Sequence, residues 1–169
     1  MKNYDDAKNL ADRMFDLGEM MGKNMTYVIS DMSQPLGDYA GNGCEILESI
    51  AILKGETENA ASELTKKTAC MIMEKNIKNM SYAEAEKKYT EIIQSGKAYE
   101  KFLRMVELQG GEANSLKRED LLYEKRKEIK SEESGYLSEF DAYKIGMALI
   151  YMNAGRFKKE DAIDHKTGI

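Results

Sequence analysis

Cysteine, histidine and proline are scarce in this 169-residue chain, and each scarcity excludes something. The two cysteines, Cys44 and Cys70, are too few for a disulfide framework, and no CxxC pair exists to suggest a redox or zinc site. Both read as reduced thiols used in core packing. The one histidine, His165, has no Ser-His-Asp or Cys-His arrangement around it, so nucleophilic catalysis of those types is not expected. The single proline, Pro35, cannot donate to a sheet ladder and marks the end of whatever extended segment precedes it. No apolar run approaches the ~20 residues of a membrane span. No basic stripe is present, and a net charge of −5 argues against nucleic acid as partner. The segment MKNYDDAKN has no apolar core, so a secretory signal is not expected there. No internal repeat or low-complexity segment is visible, and the chain reads as cytoplasmic.

What is present is helical punctuation. Asn3 is a candidate N-cap, with Asp5 and Asp6 in the favoured first turn. Ala7, Leu10, Ala11, Met14, Leu17 and Met21 follow at helical spacing, up to Gly22. A second helix is expected over 42–54, with Ile46, Leu47, Ile50 and Leu53 inward and Gly55 as its stop. Asn42 and Glu45 resemble a capping box there. A third covers about 58–75, with Ala61, Leu64, Thr68, Met71 and Ile72 on one face. A fourth begins at the Ser81–Glu84 capping box, with Tyr82, Ala85, Tyr89, Ile92 and Ile93 inward, and ends at Gly96. A fifth runs over 97–108 to Gly110–Gly111, and a sixth follows a cap at Asp141 and ends at Gly155. Residues 112–120 read as a loop. Strands are expected near 25–30, 123–130 and 135–140.

The centre of this pattern is 28–48, VISDMSQPLGDYAGNGCEILE. An apolar extended segment, Pro35, three glycines (37, 41 and 43) and a helix start follow one another, the order in which α/β proteins place ligands. The glycines could offer backbone N–H groups to an anion at the helix start. Their spacing matches neither a Walker loop nor a dinucleotide fingerprint, and a plain turn is the stronger reading. Glu45 and Glu48 share one side of the helix, a spacing common on solvated faces. The run 125–130, KRKEIK, is interrupted by Glu128 and Ile129 and reads as a charged edge strand rather than a phosphate patch.

VISDMSQPLG, GN and EILE resemble a segment of the pyrimidine-nucleoside and thymidine phosphorylases. The likeness continues, in order, through LKGE (53–56), SGKAYEKFLRMVELQGG (95–111), SGYLSEFDAYKIG (134–146) and NAGRFKKEDAIDHKTGI (153–169). Several blocks in one register make this specific, and they correspond to the middle and C-terminal part of such an enzyme. The resemblance implies an α-rich α/β fold, helices packed on a small mixed sheet. Residues 1–120 would form part of the central α/β domain with its helical array, and 121–169 the start of the C-terminal α/β region. It implies reversible phosphorolysis of pyrimidine nucleosides such as uridine and thymidine, giving base and pentose 1-phosphate. Phosphate and nucleoside would be the partners of the full-length enzyme, and a homo-oligomer its assembly.

The family's phosphate loop, its catalytic histidine and its arginine, serine and lysine on the base have no matching positions here, so no catalytic residue is assigned. His165 does not fall where that histidine belongs, and it reads as a surface residue. One site does carry over. The family holds a monovalent cation, potassium or sodium, with two loop carbonyls and a carboxylate, and the PLG and ExxE landmarks put these on Leu36, Tyr39 and Glu48; the resemblance places the remaining ligands on the upstream phosphate loop, so the ion is implied for the full-length enzyme and this part of the site would hold it only weakly. Oxygen-only ligation suits a hard cation. The alternative for Glu48 is a solvated helix residue. Gly43 and Cys44 replace the family's usual Ala-Leu pair, which would loosen the helix start by about 1 kcal/mol at the glycine. Met1 aligns with a methionine that follows a core strand in the family. A sheet without its first strands exposes edges and apolar helix faces, so the chain is expected either to self-associate or to settle as a mostly helical domain. The competing functional class is a stand-alone, non-catalytic helical interaction or regulatory module.

Overall fold

The computed structural model describes residues 3–169; the Met1 correspondence lies outside them. Among the described residues seven α-helices follow in order: α1 (Tyr4–Met20), α2 (Asn42–Lys54), α3 (Ala60–Asn76), α4 (Tyr82–Gln94), α5 (Lys97–Leu108), α6 (Arg118–Leu121) and α7 (Ala142–Tyr151). A 3₁₀ turn occupies Ala113–Ser115. Residues 112–120, expected as a loop, therefore hold this turn and the start of α6.

The caps account for the boundaries. Asn3 Oδ1 accepts the Asp6 N–H at 2.8 Å. Ser81 and Glu84 form a reciprocal capping box: Ser81 N–H donates to Glu84 Oε2 at 2.8 Å, and Glu84 N–H to Ser81 Oγ at 3.3 Å. Asp141 Oδ1 accepts the Lys144 N–H at 3.0 Å and starts α7. Gly55 closes α2 in a left-handed conformation, φ +72°.

The expected mixed sheet is not there. Among the described residues no segment forms a strand, and the fold is helical. The helical member of the two expected outcomes is the one observed. The reason is visible at each expected strand. A strand exists only when its backbone N–H and C=O groups pair with a neighbour. The segment near 25–30 instead lies along α1. Met25 packs directly on Gly18, the Tyr27 ring meets Phe15 edge-on with centroids 6.3 Å apart, and the Tyr27 hydroxyl donates to Asp12 at 2.7 Å. Residues 123–130 are exposed; they make a local ion pair, Lys130 to Glu128 at 3.1 Å, and the Tyr123 hydroxyl reaches Asp164. Residues 135–140 carry a fully exposed Tyr136. That segment is tied at its end, where Phe140 N–H reaches Gln34 Oε1 at 3.4 Å and Ala142 N–H reaches the Ser33 carbonyl at 3.1 Å.

The chain divides into two compact units. One takes in the described residues up to Asp31 and Thr65–Tyr89. Its core holds Gly18, Cys70 and Ala85, with Asn24 Nδ2 donating to the Lys75 carbonyl at 3.0 Å. The apolar residues that repeat at helical spacing along α1 are largely exposed: Leu10, Met14, Leu17 and Met21 lie at the surface. The other unit takes in Met32–Leu64 and Thr90–Ile169. Here α2 packs on α5 and α6, Lys54 lies over the Tyr99 ring at 4.6 Å, and Cys44, Glu48, Ile50, Ile52 and Ala154 are buried. The candidate site belongs to this second unit.

Candidate functional site

The buried member of the site is Glu48, only 7% exposed although it carries a charge. An ionised carboxylate is left in such a place only if donors meet it. Helix α2 aims Glu48 back at the loop that precedes the helix. Its Oε1 accepts the Asp38 N–H at 2.7 Å and the Asn59 side-chain amide at 2.7 Å. The same Asn59 amide donates to Asp38 Oδ2 at 3.0 Å. Glu48 is thus a clamp on the 36–40 loop rather than a solvated helix residue. The carboxylate lies so close to Gly37 that a Cβ there would collide with it. Gly37 serves close approach, not an unusual backbone angle.

Leu36 and Tyr39 bracket the clamped Gly37–Asp38 pair. Leu36 is half-buried and the Tyr39 side chain is exposed. Glu45, paired with Glu48 in the sequence, does separate work on the exposed face: its Oε1 accepts the Gly41 N–H at 3.0 Å. The capping interaction expected from Asn42 thus forms one residue earlier.

The start of α2 is closed by the chain's 164–169 segment. Gly43 N–H donates to the His165 carbonyl at 2.9 Å. Ala40 and Ile169 exchange N–H···O bonds, both at 2.8 Å. Asn42 Nδ2 meets His165 Nδ1 at 2.9 Å, and the imidazole is exposed, as expected. At Gly41 (φ +123°) an added Cβ would come within 2.7 Å of Gly168 Cα and of the Thr167 carbonyl. At Gly43 it would strike the carbonyls of Leu121 and His165. The glycines therefore admit other backbone. With Gly41 and Gly43 N–H already engaged, the helix start is a packed turn rather than an anion cradle. Burial pushes the Cys44 thiol up, consistent with a packing role.

The closing segment is itself held by Asp164. Its carboxylate accepts the Lys166 N–H at 3.0 Å and the Thr167 hydroxyl at 2.9 Å. The Tyr123 phenol also donates to it. The Lys166 N–H, with these hydroxyl bonds, holds the Asp164 carboxyl below the ordinary aspartate range. A carboxyl depressed on folding contributes stability above its unfolded value, and that stability is lost as pH falls through the folded value. Acid should therefore loosen the 164–167 turn. The thermal midpoint of the wild type should fall faster with acid than that of Asp164→Asn. A gap between the two that stays constant across that range would contradict this role.

Asn59 was not legible as a site residue. Its signal was a capping pair: Asn59 Oδ1 accepts the Ser62 N–H at 3.1 Å, and Asn59 N–H donates to Ser62 Oγ at 2.9 Å. That pattern fixes a helix boundary at Asn59 but does not say what lies across from it.

Residues 136–169 match the family described as Pyrimidine nucleoside phosphorylase C-terminal domain. The whole chain aligns with named enzymes. The Pyrimidine-nucleoside phosphorylase of Staphylococcus epidermidis is 36% identical over 171 positions, that of Staphylococcus haemolyticus 37% and that of Staphylococcus aureus 36%. Each alignment takes in 100% of this chain and 40% of the relative. Along its whole length the chain is similar to the pyrimidine-nucleoside phosphorylases, and it spans 40% of the length of the curated relatives it matches. No helix among the described residues is long and apolar enough to cross a membrane.

Proposed function

We propose that this chain works as the cation-holding and C-terminal part of a pyrimidine-nucleoside phosphorylase, and that it is inactive by itself. The reaction would be reversible phosphorolysis of uridine or thymidine to base and pentose 1-phosphate. The observation that supports this most directly is identity of 36% along the entire chain to enzymes of that name. No residue here is assigned to the nucleoside's C1′ or to the departing base. Phosphorolysis would then need the polypeptide corresponding to the rest of the relatives.

This chain's own contribution would be the 36–48 site. Leu36 and Tyr39 would offer carbonyls and Glu48 a carboxylate to a potassium or sodium ion. The donor set fits: it is oxygen only, and both hydrogen bonds to Glu48 fall on Oε1. When bound, the ion would supply fixed positive charge beside the loop. Glu48 and Asp38 do the rest by holding the loop's backbone in place.

The test is ultraviolet assay of uridine and thymidine with phosphate. The purified chain is expected to be silent, and activity is expected once the polypeptide corresponding to the remainder of the relatives is added. Turnover by the chain alone would overturn the site assignment. Silence in both would favour a stand-alone helical interaction module, a reading supported by the exposed apolar side chains of α1, with Met14 at 59% and Leu17 at 57%. The cation is tested separately, by the thermal midpoint in potassium or sodium chloride against choline chloride at equal ionic strength. A higher midpoint in the alkali salt is expected, and no difference would sink the cation reading.

A further inference from the structure

We propose that Asn59 is the positioning residue of the cation loop, an inference that rests on the cation reading above. It presents Glu48 to the ion without being a ligand itself. The geometry leaves the Asn59 amide a single orientation. Its oxygen faces the Ser62 N–H at 3.1 Å, a donor, so it must be the acceptor end. Its nitrogen faces two carboxylate oxygens, Glu48 Oε1 at 2.7 Å and Asp38 Oδ2 at 3.0 Å. Both N–H bonds of the amide are therefore used. The other end of the residue is fixed too: Asn59 N–H donates to Ser62 Oγ, and Ser62 Oγ donates back to the Asn59 carbonyl at 2.8 Å. The first turn of α3 thus holds the side chain rigidly.

Two consequences follow. Asn59 places N–H dipoles between Asp38 and Glu48, two like charges whose oxygens it bridges. It also takes up Oε1 together with the Asp38 N–H, so the carboxylate turns about neither oxygen freely. Oε2, beside Gly37, is the oxygen that neither of these donors takes up. A carboxylate held by such donors is pre-organised for a cation rather than recruited by it.

The discriminating variant is Asn59→Ser. Serine is a good N-cap, so α3 keeps its start, but its side chain is too short to reach Glu48. Ser62→Ala serves as the control: it disturbs the cap and leaves the Asn59 amide on both carboxylates. Two readouts on the 169-residue chain are needed. The first is hydrogen exchange of the Asp38 amide, which donates to Glu48. The second is the potassium concentration giving half of the thermal stabilisation. In Asn59→Ser, Asp38 exchange should quicken, and the potassium midpoint should rise by about tenfold, the worth of one hydrogen bond to a charged group. Ser62→Ala should leave the potassium midpoint within about twofold of wild type, since it removes no bond to Glu48.

An unchanged potassium midpoint in Asn59→Ser overturns the proposal. Equal losses in both variants overturn it as well, because they would trace the effect to the α3 cap. A wild type indifferent to potassium and sodium overturns the underlying cation reading, and the proposal with it. Asp38 exchange tells the two failures apart. It quickens in Asn59→Ser if the clamp is real and the ion is absent, and stays unchanged if the clamp itself is wrong.

Discussion

Gly43→Ala is expected to destabilise the chain by about 1–3 kcal/mol, the range for forcing extra volume into a packed site. Helix propensity alone gives the opposite sign. Gly43 lies inside α2, and alanine at an interior helix position gains about 1 kcal/mol over glycine. The structure decides between the two. A Cβ at 43 would strike the Leu121 carbonyl and come within 2.8 Å of the His165 carbonyl. Both obstacles are main chain, and neither can swing aside as a side-chain tip would. Moving His165 would also break the bond its carbonyl accepts from Gly43 N–H. Urea unfolding measures the outcome: a lower midpoint with an unchanged slope is expected. A raised midpoint would mean that the 121 and 165 backbones do not seat against α2.

Glu48→Ala is expected to cost about 2 kcal/mol or more, because it strands donors at a buried position. Asp38 N–H and one arm of the Asn59 amide would lose their acceptor. Glu48→Gln keeps an oxygen where Oε1 stands and should lose much less. The contrast between the two variants is the measurement, again by urea unfolding. Equal stability of Glu48→Ala and wild type would return Glu48 to the solvated helix face. Gly37→Ala belongs to the same test, since its Cβ would occupy the carboxylate's place. It should be less harmful in the Glu48→Ala background than in the wild type.

How much of this was readable in the chain follows from the range of each interaction. The caps act over three or four residues, so Asn3, Ser81–Glu84, Asp141 and the stop at Gly55 were legible, and the helix boundaries came with them. The strands were not, because a strand depends on a partner distant in sequence. An apolar segment such as 25–30 packs as well along α1, as Met25 on Gly18 shows. The exposure of Leu10 and Met14 was hidden for the same reason: periodicity says that a face is apolar, not that something covers it. At the site, Glu48 entered through family likeness alone, and its burial against Asp38 and Asn59 had no local signature. The glycines were visible as glycines. That Gly43 makes room for the carbonyls of Leu121 and His165 is a fact of tertiary packing.

The meeting of α2 with the 164–169 segment also sets an order of events. Asn42 and His165 are 123 residues apart in sequence, whereas the capping pairs are separated by three. Closing so long a loop costs chain entropy that grows with its logarithm and is repaid only at the end. High contact order of this kind slows the step that contains it. The helices can therefore form early from local contacts, while the first turn of α2 waits with its Gly43 amide unpaired. On a ribosome that wait lasts until His165 has emerged, so the first turn of α2 is among the last parts of the second unit to become rigid.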